Sequence, residues 1–187
     1  MDATTRGTAE LYAAGFEARA LLRDQTPVCM RAIRGDDKER LRVAFGHLST
    51  RSVYQRFFHP ITDLTPDYLR ELTELDFRGH IALVLSTGEE SRERLIAVAR
   101  FVRVSPGADR AEIAFAVADE YQNRGAATLL LHELVAVAKS LGIRKFVGQM
   151  LDNNLDMLRV LQNSKLPLRQ RVDGNIRNVE LSIDAAS

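Results

Sequence analysis

One stretch, Ala111 to Leu141, constrains the fold more than any other part of this 187-residue chain. In AEIAFAVADEYQNRGAATLLLHELVAVAKSL the bulky Ile113, Phe115 and Val117 alternate with the small Ala114 and Ala116, the period-2 pattern of a buried strand. From Ala126 the period becomes helical: Leu130, Leu134, Val137 and Leu141 share a stripe that Thr128, His132 and Lys139 avoid. Between strand and helix lies a tight polar turn containing Gln122, Arg124 and Gly125. A strand that feeds a helix through a glycine turn leaves free backbone N–H groups at the positive end of the helix dipole, an arrangement suited to phosphate oxygens. The turn has no G-x-G-x-x-G, and no Gly-Lys-Ser/Thr follows it, so dinucleotide and Walker-type readings fail.

The remaining elements fall around this unit. Residues 1–26 form an N-terminal extension: Leu11, Tyr12, Phe16, Ala20 and Leu22 suit one side of a helix, Gly15 weakens it, and partial disorder is the alternative. Pro27 to Ile33 reads as a first strand, and Asp36 or Asp37 as the cap of a helix with Glu39 reaching back and Leu41, Ala44, Phe45 and Leu48 inside. Leu48 to Pro60 reads as a loop with a short turn. Thr65-Pro66 starts another helix, carrying Leu69, Leu72 and Leu75. His80–Ser86 and Arg94–Val104 are strands across a polar turn, and Ser105-Pro106-Gly107 separates the second from the central one. Gly142 ends the central helix, Arg144–Leu151 is a strand, and Asn153 or Asn154 caps a last helix holding Met157, Leu158 and Leu161. Leu168–Val172 and Arg177–Ile183 form a hairpin about Asp173-Gly174. Antiparallel meanders around a single β-α-β crossover predict an α+β fold: a mixed, mostly antiparallel twisted sheet with helices on both faces, one domain over residues 27–187.

Composition narrows the function classes. A formal net charge of +1 provides no field to attract nucleic acid or a membrane. The single cysteine, Cys29, excludes an internal disulfide and a Cys-rich zinc site, and His47, His59, His80 and His132 show no metal spacing. No apolar run is long enough to span a membrane, and MDATTRGTAE lacks the pattern of a signal peptide, so a cytoplasmic protein is expected.

Gln122-Asn123-Arg124-Gly125-Ala126-Ala127, placed between strand and helix, resembles the Q/R-x-x-G-x-G/A turn of the GNAT superfamily of acyl-CoA-dependent N-acetyltransferases. The element order from about Pro27 to Ile183 is similar to that family's as well. The pattern of Ser49, Ser52, Tyr54, Arg56, Phe57 and Phe58 resembles the corresponding loop in its bacterial protein-lysine acetyltransferase branch. The resemblance implies acetyl-CoA as co-substrate. Its pyrophosphate would lie among Gln122, Arg124, Gly125, Ala127 and Thr128, and its pantetheine arm would pair with backbone around Phe115 and Val117, where an amide polarises the thioester. Ala127 departs from the commoner glycine, but a methyl is small enough for the turn. Asn154 matches an asparagine near the cofactor, and is equally a simple helix cap. Tyr54, Arg56, Phe57 and Phe58 serve either as packing or as the substrate-side wall.

An acceptor lysine lies about 3 pH units below its pKa at neutral pH and must lose a proton before it attacks. Glu112, an acid in an otherwise apolar strand, matches the glutamate that does this in the lysine branch, and a pKa raised by burial would suit it. The alternative is a strand-end acid in water or paired with Arg100 or Arg110. The tyrosine that many relatives place near the leaving thiolate corresponds to Leu161, and the following Gly-Phe pair to Lys165-Leu166 or Leu166-Pro167. Both are missing, so the group that protonates the thiolate is not assigned. The reading is therefore transfer of acetyl to a primary amine, foremost a protein lysine, with Glu112 as general base and no metal. Alternatives are a small-amine acetyltransferase and a catalytically silent acyl-CoA-binding module.

Overall fold

The computed structural model describes residues 15–88 and 92–184. In chain order these residues form β1 (Glu17–Leu21), β2 (Pro27–Ala32), α1 (Lys38–Gly46), α2 (Thr50–Phe57), α3 (Pro66–Thr73), β3 (His80–Thr87), β4 (Arg94–Arg103), β5 (Arg110–Val117), α4 (Ala126–Ser140), β6 (Lys145–Leu151), α5 (Leu155–Asn163), β7 (Leu168–Asp173) and β8 (Ile176–Ser182). The described strands make one sheet in the order β1-β2-β3-β4-β5-β6-β8-β7. Only β5–β6 is parallel among them, and α4 supplies its crossover. The mixed, mostly antiparallel α+β architecture is the one expected.

Strand alternation sends neighbouring residues to opposite faces, so the sheet has two cores. On one face Leu83, Phe101, Ile113 and Phe146 pack under Leu130, Leu134 and Val137 of α4. On the other, Ala82, Val84 and Val98 meet Leu41 and Phe45 of α1, Val53 of α2, and Leu69 and Leu72 of α3. The helical stripe read from the sequence is the buried one, with Leu130, Leu134 and Val137 each 0% exposed. Gly142 takes φ +73° just beyond α4, where Ile143 N–H bonds back to the Ala138 carbonyl, a left-handed stop open to glycine without strain.

Three expectations need correction. Residues 1–14 lie outside the described residues, but Glu17–Leu21 is a strand, not a helix, paired antiparallel with β2. Phe16, Ala18 and Ala20 pack on the first core and Leu22 is buried, so the period was 2. Thr50–Phe57, read as loop, is the helix α2. Ser49 caps it by accepting from Ser52 N–H, and Phe58 ends it at φ +61°. Its apolar stripe is little more than Val53 and Phe57, too short to stand out between arginines. Finally, Asp37 sits at the start of α1 but makes no side-chain cap there. Its carboxylate turns inward to Arg31, and Glu39 pairs with Arg42 rather than reaching back.

Candidate active site

Strands β5 and β6 pair only over Arg110–Glu112 and Lys145–Val147, then separate. Gly148 lies at the fork, where a Cβ would come within 3.3 Å of the Ile113 carbonyl oxygen. Hydrogen bonds fix which backbone groups face the gap. The Asp109 carbonyl accepts from Arg144 and Lys145 on the β6 side, and the Arg110 carbonyl from Val104 on the β4 side. Alternation then aims the N–H and C=O groups of Ile113, Phe115 and Val117 toward β6; pairing ends at Glu112–Val147, so no strand meets those of Phe115 and Val117, and Gln122 takes the Val117 carbonyl. The result is an internal strand edge inside an otherwise continuous sheet.

The gap runs down to the N-terminus of α4. Gly125 occupies the cap position at φ +96° with no side-chain cap, and Leu129 N–H makes the first helical bond to its carbonyl. The N–H groups of Ala126, Ala127 and Thr128 therefore have no partner within the helix, at the positive end of its dipole. Gap and helix end share one cleft of about 500 Å³. Glu112, Phe115, Val117, Gln122, Gly125, Ala127, Thr128, Asn154, Arg56 and Phe58 all line it, so most of the residues singled out in the sequence come together here.

Arg124, Tyr54 and Glu112 are placed otherwise than the site reading expected, while Phe57 and Asn154 take the packing and capping roles it had left open. Arg124 is not on the cleft wall: its guanidinium pairs with Asp24 at 2.7 Å and lies over the Tyr121 ring. Phe57 packs edge-on against Phe45 and Tyr68 in the second core. Tyr54 is 41% exposed and lines no part of the cleft. Tyr54→Ala is therefore expected to change stability by less than about 1 kcal/mol and to leave kinetics near normal, checked by thermal melts and turnover on one preparation. Asn154 does cap α5, its Oδ1 accepting from Met157 N–H at 3.1 Å, while also facing the cleft. Glu112 is exposed rather than buried, at the fork of the two strands. Neither expected partner holds it, since Arg110 pairs with Glu180 and Arg100 donates to the Leu72 carbonyl. Leu161 is 1% exposed on the cleft wall, with no hydroxyl to offer. Lys165 takes φ +62°, holding the left-handed turn that glycine adopts freely.

Two features were missed. Gln122 is a brace: its Nε2 donates to Val117 O, Ser52 Oγ and Asp119 Oδ1 at 3.0–3.2 Å. Asp119 also accepts from the Ser49 N–H and from the Ser49 and Ser52 hydroxyls, which fastens the head of α2 to the turn. Burial works to raise the Asp119 pKa, but the bonds from Ser52 and Ser49 outweigh it and the net shift is downward. Residue spacing gives no hint of this bridge, which joins positions 70 apart. The second is Arg23, whose N–H bonds to the Arg124 carbonyl and whose side chain crosses Gly125, reaching 3.3 Å from where a Cβ would stand. The turn signal at Arg23-Asp24-Gln25-Thr26 was the clue, hidden by the helical reading. Among the described residues no group of His, Cys, Asp and Glu side chains is placed to hold a metal, and no helix is long and apolar enough to cross a membrane.

Comparison with known proteins agrees with this geometry. A family model described as "Acetyltransferase (GNAT) family" matches residues 48–163. Acetyltransferase Pat of Mycolicibacterium smegmatis is 32% identical over 132 residues, which cover 71% of this chain but only 39% of that protein. The GNAT domain of S. lividans PAT superposes with a TM-score of 0.81 at 32% identity, over 89% of this chain and 96% of that one. A cAMP-binding acyltransferase from Mycobacterium smegmatis gives a TM-score of 0.66 at 27% identity, over 96% of this chain and 51% of that one.

Proposed function

The chain belongs to the GNAT acetyltransferase family, and on that premise we propose that it moves acetyl from acetyl-CoA to a primary amine, foremost a protein lysine, with Glu112 as general base. The observation that carries the proposal is the open edge of β5 leading into the uncapped start of α4. The edge suits the amide groups of a pantetheine arm, and the helix start suits a pyrophosphate. Arg23 adds a cation over that end from outside the turn itself. An N–H at Phe115 or Val117 would polarise the thioester carbonyl. On the other side of the strand Glu112, half in solvent at the fork, takes the ammonium proton directly or through water. The neutral amine then attacks, the C–N bond forms as the C–S bond breaks, and the thiolate leaves into the cleft, where the second proton of the attacking nitrogen converts it to the thiol. A protein lysine as acceptor rests on the resemblance of Ser49 to Phe58 to the loop of the protein-lysine acetyltransferase branch, not on any contact within the chain.

Acetyl-CoA should raise the melting temperature in proportion to the logarithm of its concentration above Kd, as a ligand selective for the folded state does. Ala127→Glu separates binding from folding. An acid in the first turn of α4 favours the helix by roughly 0.3–1 kcal/mol, yet stands where the phosphates must approach. The variant should melt at or above the wild-type temperature without ligand and lose the shift with acetyl-CoA. A stable Ala127→Glu protein that keeps its shift would exclude this helix end as the phosphate site.

A further inference from the structure

Beside the main cleft, on the Ala114/Ala116 face of the sheet, lies a cavity of about 60 Å³. Leu48, Arg56, Ala114 and Ala116 line both spaces, so the smaller is a branch of the larger. Its walls are apolar residues of α1, α2, α3, β4, β5 and the turns beside them, except for Arg56 and Arg100. Arg100 stands opposite Ala82 on β3 and Ala114 on β5, and those two methyls leave the guanidinium its room.

Arg100 is 7% exposed, yet its neighbours are neutral: Nη2 donates to the Leu72 carbonyl at 3.4 Å and Nη1 lies 3.3 Å from His80 Nε2. Burial, and then the Arg100 charge, push the His80 pKa down to about 4, so the ring is uncharged at neutral pH and can accept from Nη1. Among the described residues neither Arg56 nor Arg100 forms an ion pair. The contrast is with Arg31, equally buried but clamped by Asp37 and Glu93. Burial first, and Arg56 second, pull the Arg100 pKa down to about 10. Glu112 in the main cleft acts on the Arg56 charge without pairing with it, so two cations face one small apolar chamber with no ion pair, which is costly unless something anionic enters.

We propose that this branch is a carboxylate site, in which Arg56 and Arg100 hold the terminal carboxylate of a short aliphatic chain entering past Ala114 and Ala116. The proposal rests on the acyl-CoA reading above. The carboxylate has two possible sources, the far end of a dicarboxylic acyl group on CoA or an amine acceptor that carries an acid. The chamber has room for a carboxylate and little more, so the rest of the chain lies in the main cleft.

The test measures equilibrium binding to the full chain in two arms. One compares succinyl-CoA with butyryl-CoA, its uncharged match in length, with acetyl-CoA as reference. The other compares 6-aminohexanoate with its methyl ester in the presence of CoA. In one arm the acid should bind roughly tenfold or more tighter than its neutral match, the worth of a charge-assisted pair. That arm identifies the source. Arg100→Met should erase the preference, Arg100→Lys should retain most of it, and the acetyl-CoA affinity of both should stay near wild type. Should Arg100→Met fail to fold, Arg56→Gln reads the same loss from the α2 side. Absence of a preference in both arms, from a wild-type protein that binds acetyl-CoA, overturns the proposal, as does a preference that survives in these folded variants. A wild-type protein that binds no CoA thioester overturns the acyl-CoA reading and this site with it.

Discussion

Glu112→Gln is expected to lower acetyl transfer by roughly 100- to 10,000-fold, the usual contribution of a positioned general base. The substitution preserves size and leaves the β-strand pairing of residue 112 with Val102 and Val147 intact, so acetyl-CoA affinity should hardly change. The loss should shrink as pH rises toward the pKa of the acceptor, near 10.4 for lysine, because the amine then arrives already neutral. Exposure at the fork makes a proton exit through water easy and makes ground-state burial unnecessary for the role. A pH–rate profile of both proteins with one working acceptor decides the matter. Parallel profiles of similar height would remove Glu112 from the mechanism. Wild-type protein that binds acetyl-CoA but transfers to no amine would favour the silent binding module, a reading to which Leu161, in place of a hydroxyl, gives some physical ground.

Most of the fold was legible because the sequence patterns are local. Ile113 to Val117 alternates and Leu130 to Val137 repeats at helical spacing, and both survive into the structure, as a strand buried at Ile113 and half-buried beyond it along the cleft, and as a buried helix face. The strand–turn–helix unit therefore located the cleft before any coordinate did. What escaped was weak or non-local. Glu17–Leu21 alternates between charged residues and alanines, so its period is faint, and its strand character comes from pairing with β2. Thr50–Phe57 is helical with only two apolar positions facing inward. The Arg23–Gly125, Gln122–Ser52 and Asp119–Ser49 contacts span sequence separations that no pattern within a window can register. Glu112 shows the limit from the other side: its parity was right, but strand parity cannot say whether the face it chooses is covered. Here the carboxylate stays exposed, within reach of the Arg56 charge on α2.

The largest stability effect is expected at Asp37, far from the chemistry. Its carboxylate is 0% exposed and accepts from both terminal nitrogens of Arg31, Nη1 and Nη2, at 2.7 and 2.8 Å, and from the Arg34 N–H at 2.8 Å. Glu93 at the entry to β4 holds the other side of Arg31. The cluster thus fastens β2, the head of α1 and β4 to each other, and α1 leads directly into Ser49, the residue tied to Asp119 in the cleft. Burial works to raise the Asp37 pKa, but the bonds from Arg31 and Arg34 and the charges of Arg31 and Arg40 outweigh it, and the net shift is downward. A folded-state pKa below the unfolded value of about 3.9 means the pair stabilises the fold fully above that pH and loses its effect as pH falls through the folded value. Asp37→Asn keeps the shape but leaves Arg31 buried and short of one charge, a loss of roughly 3–5 kcal/mol at pH 7. For a chain of this size that corresponds to a melting temperature lower by roughly 10 °C. The gap between the two proteins should hold from pH 8 to about pH 5, narrow as pH falls past the unfolded value of about 3.9, and close only below the folded value. Urea melts at pH 7 and pH 3 read both quantities. A gap under about 1 kcal/mol at pH 7 would mean the fold relaxes around the lost charge, and a gap unchanged at pH 3 would mean that packing, not ionisation, ties α1 to the sheet.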